Sequence, residues 1–162
     1  MEFSLPHRLR FVFSLLAFGV LSGCTTNIPV SSMPQERREE LRSLVLENQS
    51  KEVLPDGWRE LSGDEIREKM AGKDFAGHQV QMKRNRRFIY EIENDGTMHR
   101  GLGQYTRNQC KWFTDEYSIT FDCPDINHRW FVFSDGSDMV MMRLYQGRRY
   151  FNIVEEINFR QE

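Results

Sequence analysis

The side chains able to do chemistry in this 162-residue chain are dispersed, and their spacing limits what each can do. Asp115, Glu116 and Asp122 could be imagined as carboxylates for glycoside chemistry, which needs two carboxyls held about 5–10 Å apart across a cleft. Asp115-Glu116 reads instead as the tip of a hairpin. His78, His99 and His128 lack any compact ligand spacing such as HExxH, so they read as solvated strand histidines rather than a metal site. Met139, Met141 and Met142 could offer thioethers to copper(I). Mixed with Val140 and Leu144, they read as core filler. The serines have no GxSxG context, and Gly101-Leu102-Gly103 lacks the following helix that a phosphate loop requires. No catalytic residue, metal or cofactor is expected.

One concentrated charge feature remains. In the run Lys83-Arg84-Asn85-Arg86-Arg87, the cations Lys83, Arg84, Arg86 and Arg87 could contact lipid phosphates, lipopolysaccharide or peptidoglycan carboxylates, since arginine forks pair well with such anions. A solvated turn that blocks edge pairing is the plain alternative. Arg148-Arg149, at another predicted turn, would add to this surface if both turns share a rim. Overall charge is nearly balanced, with 22 Lys+Arg against 24 Asp+Glu, so nothing calls for a nucleic-acid partner.

These groups need a scaffold, and the local patterns predict a small one. Residues 24–34 are small, polar and proline-containing, as in a tether. Good helix formers over 35–50 predict an amphipathic helix whose stripe (Leu41, Leu44, Val45) docks on the domain or on a partner. Ser62 and Glu65 have capping-box spacing, Leu61 and Ile66 sit as a hydrophobic staple, and Gly72 suits a left-handed cap. Together they predict a helix over 63–71.

Beyond Lys73 the period becomes two. Phe88, Tyr90 and Ile92 alternate with more polar neighbours, and Asn94-Asp95-Gly96-Thr97 is a hairpin signal. Gly101 and Gly103 point to bending or a close backbone approach. Tyr117, Ile119, Phe121 and Cys123 form another alternating set, followed by strands near Trp130, Met139 and Tyr150. The expected fold is mainly β (α+β). Seven or eight antiparallel strands form a meander within residues 58–162, curling into a small barrel or bent sheet and preceded by two short helices. An aromatic content of 12% is enough to fill a real core. Phe88, Tyr90, Trp112 and Trp130 would plug its interior.

The amino terminus carries the clearest address. His7, Arg8 and Arg10 precede an apolar run, and Leu21-Ser22-Gly23-Cys24 resembles a bacterial lipoprotein processing site. That resemblance implies a signal peptide over 1–23 and a lipid-bearing Cys24 as the first mature residue. Thr25, rather than Asp, implies transport to the outer membrane, facing the periplasm. An oxidising location in turn favours a disulfide between Cys110 and Cys123, stapling two predicted strands.

The stretch Leu61-Ser-Gly-Asp-Glu-Ile, leading to Gly72 and then to the Phe88–Thr97 strand and turn, resembles small exported bacterial domains of uncharacterised function. Gly103, Tyr105, Trp112 and the paired cysteines extend the likeness over residues 61–133. It implies export and a β-rich fold, and carries no catalytic residue. The expected role is a non-enzymatic binding or adaptor module of the envelope, with a protein, peptidoglycan or lipopolysaccharide as partner. A cell-wall glycan hydrolase and a lipocalin-like carrier of an apolar ligand are the alternatives.

Overall fold

A computed structural model describes residues 30–31, 33–48, 55–81, 87–102 and 105–158. The expected β fold is present as a closed, eight-stranded antiparallel barrel with two helices. Two short strands, β1 (Val30–Ser31) and β2 (Arg59–Glu60), pair onto its outside. The barrel strands are β3 (Asp74–Gln79), β4 (Arg87–Ile92), β5 (Thr97–Leu102), β6 (Tyr105–Thr114), β7 (Ser118–Asp122), β8 (Asn127–Ser134), β9 (Met139–Tyr145) and β10 (Arg148–Asn158). Each pairs with the next, and β10 returns to β3 in the register Asn152↔Gln79 to Ile157↔Asp74. Closure removes the two edges that an open meander would leave to water.

Turn chemistry places the hairpins. Asp95 Oδ1 accepts from Thr97 N at 2.9 Å, in the predicted β4–β5 turn. Gln146 and Gly147 both have positive φ, 50° and 72°, as a two-residue primed turn between β9 and β10 requires. The register shifts between Arg100 and Leu102, so the strand bends beside Gly101 as its glycine predicts. The expected start of a strand at Tyr117 is corrected. Tyr117 is 48% exposed in the β6–β7 turn, and the strand begins only at Ser118. Asp115 explains this, because its Oδ1 accepts from Tyr117 N and Ser118 N and holds the chain in a turn.

Helix α1 (Gln35–Asn48) lies on the outside of the barrel. Leu41, with Leu44 and Val45, packs on Val80, Val140, Phe151 and Ile153, so the helix stripe docks on its own domain. Beneath it the barrel wall carries charge. Arg38 donates to Glu155 at 2.9 Å, and His78 Nε2 to the same carboxylate at 2.7 Å. Glu155 is 3% and His78 7% exposed. The expectation of a solvated strand histidine therefore fails at His78, because α1 covers that strand.

Helix α2 (Gly63–Met70) closes one end of the barrel. Its capping box is complete: Ser62 Oγ accepts from Glu65 N, and Glu65 accepts from Ser62 N at 2.9 Å. Leu61, Ile66 and Met70 sink fully into the interior cluster. The inward positions of successive strands fill the rest, with Phe75, Tyr90, Trp112, Phe121, Trp130 and Met141 among them. An eight-stranded barrel is about as wide as side chains can fill. Cys110 and Cys123 face each other across β6 and the end of β7, both buried, and form the expected disulfide.

Candidate functional site

The two ends of the barrel differ in chemistry. Toward α2 the inward positions that form the core are apolar, as burial demands. Toward the far end, the same inward registers turn polar. On β5 the position after Met98 is Arg100, and on β9 the position after Met141 is Arg143. On β8, His128 precedes Trp130, and on β10, Asn152 precedes Val154. Neither α1 nor α2 covers this layer: α1 lies on the barrel wall and α2 on the opposite end.

Arg143 is the centre of the layer. Its guanidinium lies 5.2 Å from the Trp130 ring centroid, 5.3 Å from Tyr150 and 5.6 Å from Tyr145. Three aromatic faces thus hold one cation in place. It donates to His128 Nε2. Burial pushes the Arg143 pKa down, and the like charge of Arg100 pushes the same way. Arg100 itself sits 4.9 Å over the Phe88 ring, and its side chain is 15% exposed. Its carboxylate neighbour, Asp125, is half exposed and 3.9 Å away, the outer limit of an ion pair.

Beneath the two cations lies Tyr90, with Asn152 donating to its hydroxyl at 3.3 Å. Burial raises the Tyr90 pKa to about 12, so the phenol is neutral and offers no counter-charge. His128 is neutral as well. Burial first, and then Arg143 and Arg100, push its pKa down to about 4 against the pull of Asp125.

Three polar atoms of this layer are buried and have no partner: Arg143 Nε, Trp130 Nε1 and Asn152 Oδ1. Trp130 is 3% and Asn152 1% exposed. A buried polar atom without a partner costs about 1–3 kcal/mol, so three in one layer need an explanation. By contrast, Trp112 Nε1, toward α2, donates to Glu93 O at 2.8 Å.

No family model, curated protein or solved structure matches this chain. Function therefore rests on the site's own chemistry. The positions weighed from sequence are distributed as follows. Cys24, Lys83, Arg84 and Arg86 lie outside the described residues. Arg87 is half-buried on the barrel wall, where burial lowers its pKa and Glu155 raises it. Arg148 and Arg149 begin β10 beside the chain just past the end of β3, where Gln81 Nε2 donates to Arg149 O at 3.2 Å.

The carboxylates considered for glycan chemistry are not brought together. Asp115 and Glu116 stand in the turn at the α2 end, where Asp115 pairs with Arg129 at 2.7 Å. Asp122 is at the other end of β7, roughly 13 Å along the strand. Among the described residues no group of three His, Cys, Asp or Glu could hold a metal ion. Met141 is fully buried in the interior, and Met139 and Met142 pack on the two cores, as filler should.

Elsewhere, a hollow of about 300 Å³ beside α2 is lined mostly by charges that are paired with one another. Arg37 meets Asp138 at 2.6 Å there, and Lys73 meets Glu156 at 3.2 Å. The far-end layer is the one set of convergent polar groups left unsatisfied within the described barrel interior. Arg100, Arg143 and Asn152 went unnoticed in the sequence. Their signal was parity: each stands two residues from an inward core residue, Met98, Met141 and Val154 respectively.

Proposed function

We propose that this chain is a non-enzymatic envelope lipoprotein, anchored through Cys24 at the periplasmic face of the outer membrane, whose barrel binds a ligand group at its far end. The observation that carries the binding role is the contrast between the two ends. One is plugged by α2, while the other gathers Arg143 Nε, Trp130 Nε1 and Asn152 Oδ1 without partners. The processing-site resemblance at Leu21–Cys24 supports the anchor.

The fold gives such an anchor an orientation. Val30 pairs with Asn158 at the α2 end of β10. Six residues of chain from Cys24 reach at most about 20 Å. An anchored barrel would therefore keep its α2 end at the membrane and turn its far end toward the periplasm. The carrier reading is disfavoured because Phe75, Tyr90, Trp112, Phe121 and Trp130 occupy the space an apolar ligand would need. The hydrolase reading is disfavoured by the separation of Asp115 from Asp122.

The test is site-specific photocrosslinking in intact envelopes, with probes at Tyr145 on the far rim and at Glu68 on exposed α2. Specific adducts from Tyr145 and not Glu68 are expected. Adducts from Glu68 alone would overturn the far-end site. Unchanged membrane fractionation of Cys24→Ser would remove the anchor.

A further inference from the structure

Resting on the far-end layer as a binding site, we propose that the group it takes is a small oxyanion, a carboxylate or a phosphate, held by the Arg143 and Arg100 guanidiniums above the Trp130 indole. The argument is one of charge and of donors. Among the described residues, the groups that meet in this layer include Arg100, Arg143, His128, Tyr90, Asn152 and Trp130. Two are cations and the rest are neutral. Their only described carboxylate neighbour is Asp125, half in water and at the limit of contact with Arg100.

Two like charges, close enough to act on each other and partly withdrawn from water, are unfavourable without a counter-ion. An anion relieves this. A metal ion or ammonium group would worsen it.

The unpartnered atoms point the same way. Arg143 Nε and Trp130 Nε1 are donors only, and both are free. An oxyanion supplies several acceptor lone pairs from one small group and accepts from a guanidinium fork in two parallel bonds. The fork is already oriented, since Trp130, Tyr145 and Tyr150 flank it and His128 Nε2 accepts a hydrogen bond from it. Little ordering would then be lost on binding. Asn152 Oδ1, the remaining free acceptor, suits a water or a ligand hydroxyl beside the anion. Access is from the rim, where Tyr145 is 52% exposed and Arg143 is half-buried.

The experiment is an NMR titration of the full mature chain in detergent. It follows the Trp130 Nε1–H and Arg143 Nε–H resonances with sodium phosphate, sodium acetate and sodium chloride at constant ionic strength. Both resonances should shift saturably with phosphate or acetate, and not with chloride. Phosphate alone would point to a phosphate-bearing ligand, and acetate alone to a carboxylate-bearing one; either supports the proposal. Arg143→Gln should weaken the effect at least tenfold, read on the Trp130 resonance, and Arg100→Gln provides the same check if the first variant does not fold. Equal affinity in both folded variants would overturn the assignment. So would inertness to both anions. If a neutral chito-oligosaccharide then moved the same two resonances, the far-end site would survive with a glycan as its ligand. Loss of the Tyr145 crosslinks would remove the site altogether.

Discussion

Arg143 donates to Nε2 of His128, so the imidazole is a hydrogen-bond acceptor there and carries its single proton on Nδ1. A charged imidazole could not accept, and it would stand beside two guanidiniums. Burial first, and then the two guanidiniums, bring its pKa down to about 4 from 6.5. In the unfolded chain the ring takes up a proton near 6.5, and in the folded protein only near 4. The unfolded state therefore binds more protons across this window, and stability falls as pH drops through it. His128→Gln keeps an acceptor and cannot titrate. Urea unfolding of the two proteins from pH 7.5 to 4 should show a shallower decline for the variant. Parallel curves would mean that His128 is protonated in the native state.

The disulfide makes a separate prediction. Cys110, on β6, and Cys123, just past the end of β7, are 13 residues apart and buried at the far end of the barrel. Closing so short a loop restricts the unfolded chain by about 3 kcal/mol. The Cys110→Ser, Cys123→Ser pair should unfold at a markedly lower temperature than the oxidised protein, by calorimetry. Reductant should lower the melting temperature of the parent alone. If parent and variant melt together, the bridge contributes nothing.

Much of this architecture is legible locally. The alternation of Phe88, Tyr90 and Ile92, the Asp95-Gly96 turn and the Ser62–Glu65 box each depend on residues only a few positions apart, and each is realised. Closure is not local. It joins β3 to β10, some seventy residues later, and no short pattern encodes that pairing. The burial of His78 depends on α1 lying across β3 and β10, again a tertiary event. The candidate site lies between these cases. Arg100 and Arg143 could have been assigned inward by parity from Met98 and Met141, but only a closed barrel makes them neighbours. The three histidines and the basic run drew attention by residue type alone.

The contact under α1 should be costly to break. Glu155 is almost fully buried, its side chain 1% exposed, and holds both Arg38 and His78. Removing one partner of a buried pair typically costs about 3–5 kcal/mol, because the remaining charge stays out of water. The cost in Arg38→Ala should lie toward the lower figure, since His78 still donates to the carboxylate. Urea denaturation would measure it, and hydrogen exchange should show α1 amides losing protection before those of the barrel. If α1 kept its protection, Leu41 and its neighbours would be sufficient to dock the helix.

The plug offers the sharpest contrast between two adjacent residues. Ser62→Ala removes a cap that Glu65 N needs, a loss of about 1 kcal/mol. Gly63→Ala would improve helix propensity on its own. Yet a Cβ at Gly63 would stand 1.7 Å from the carbonyl oxygen of Asp115, and that oxygen belongs to backbone. The neighbouring bond from Gly63 N to Glu116 O, at 2.9 Å, ties α2 to the same turn, so neither side can yield alone. Gly63→Ala should therefore destabilise more than Ser62→Ala and lift α2 off the barrel end. Because Leu61, Ile66 and Met70 would leave the core together, the variant should bind an apolar dye under conditions where Ser62→Ala does not. A Gly63→Ala protein as stable as its parent would mean that the β6–β7 turn moves freely, and that α2 does not depend on it for its seat.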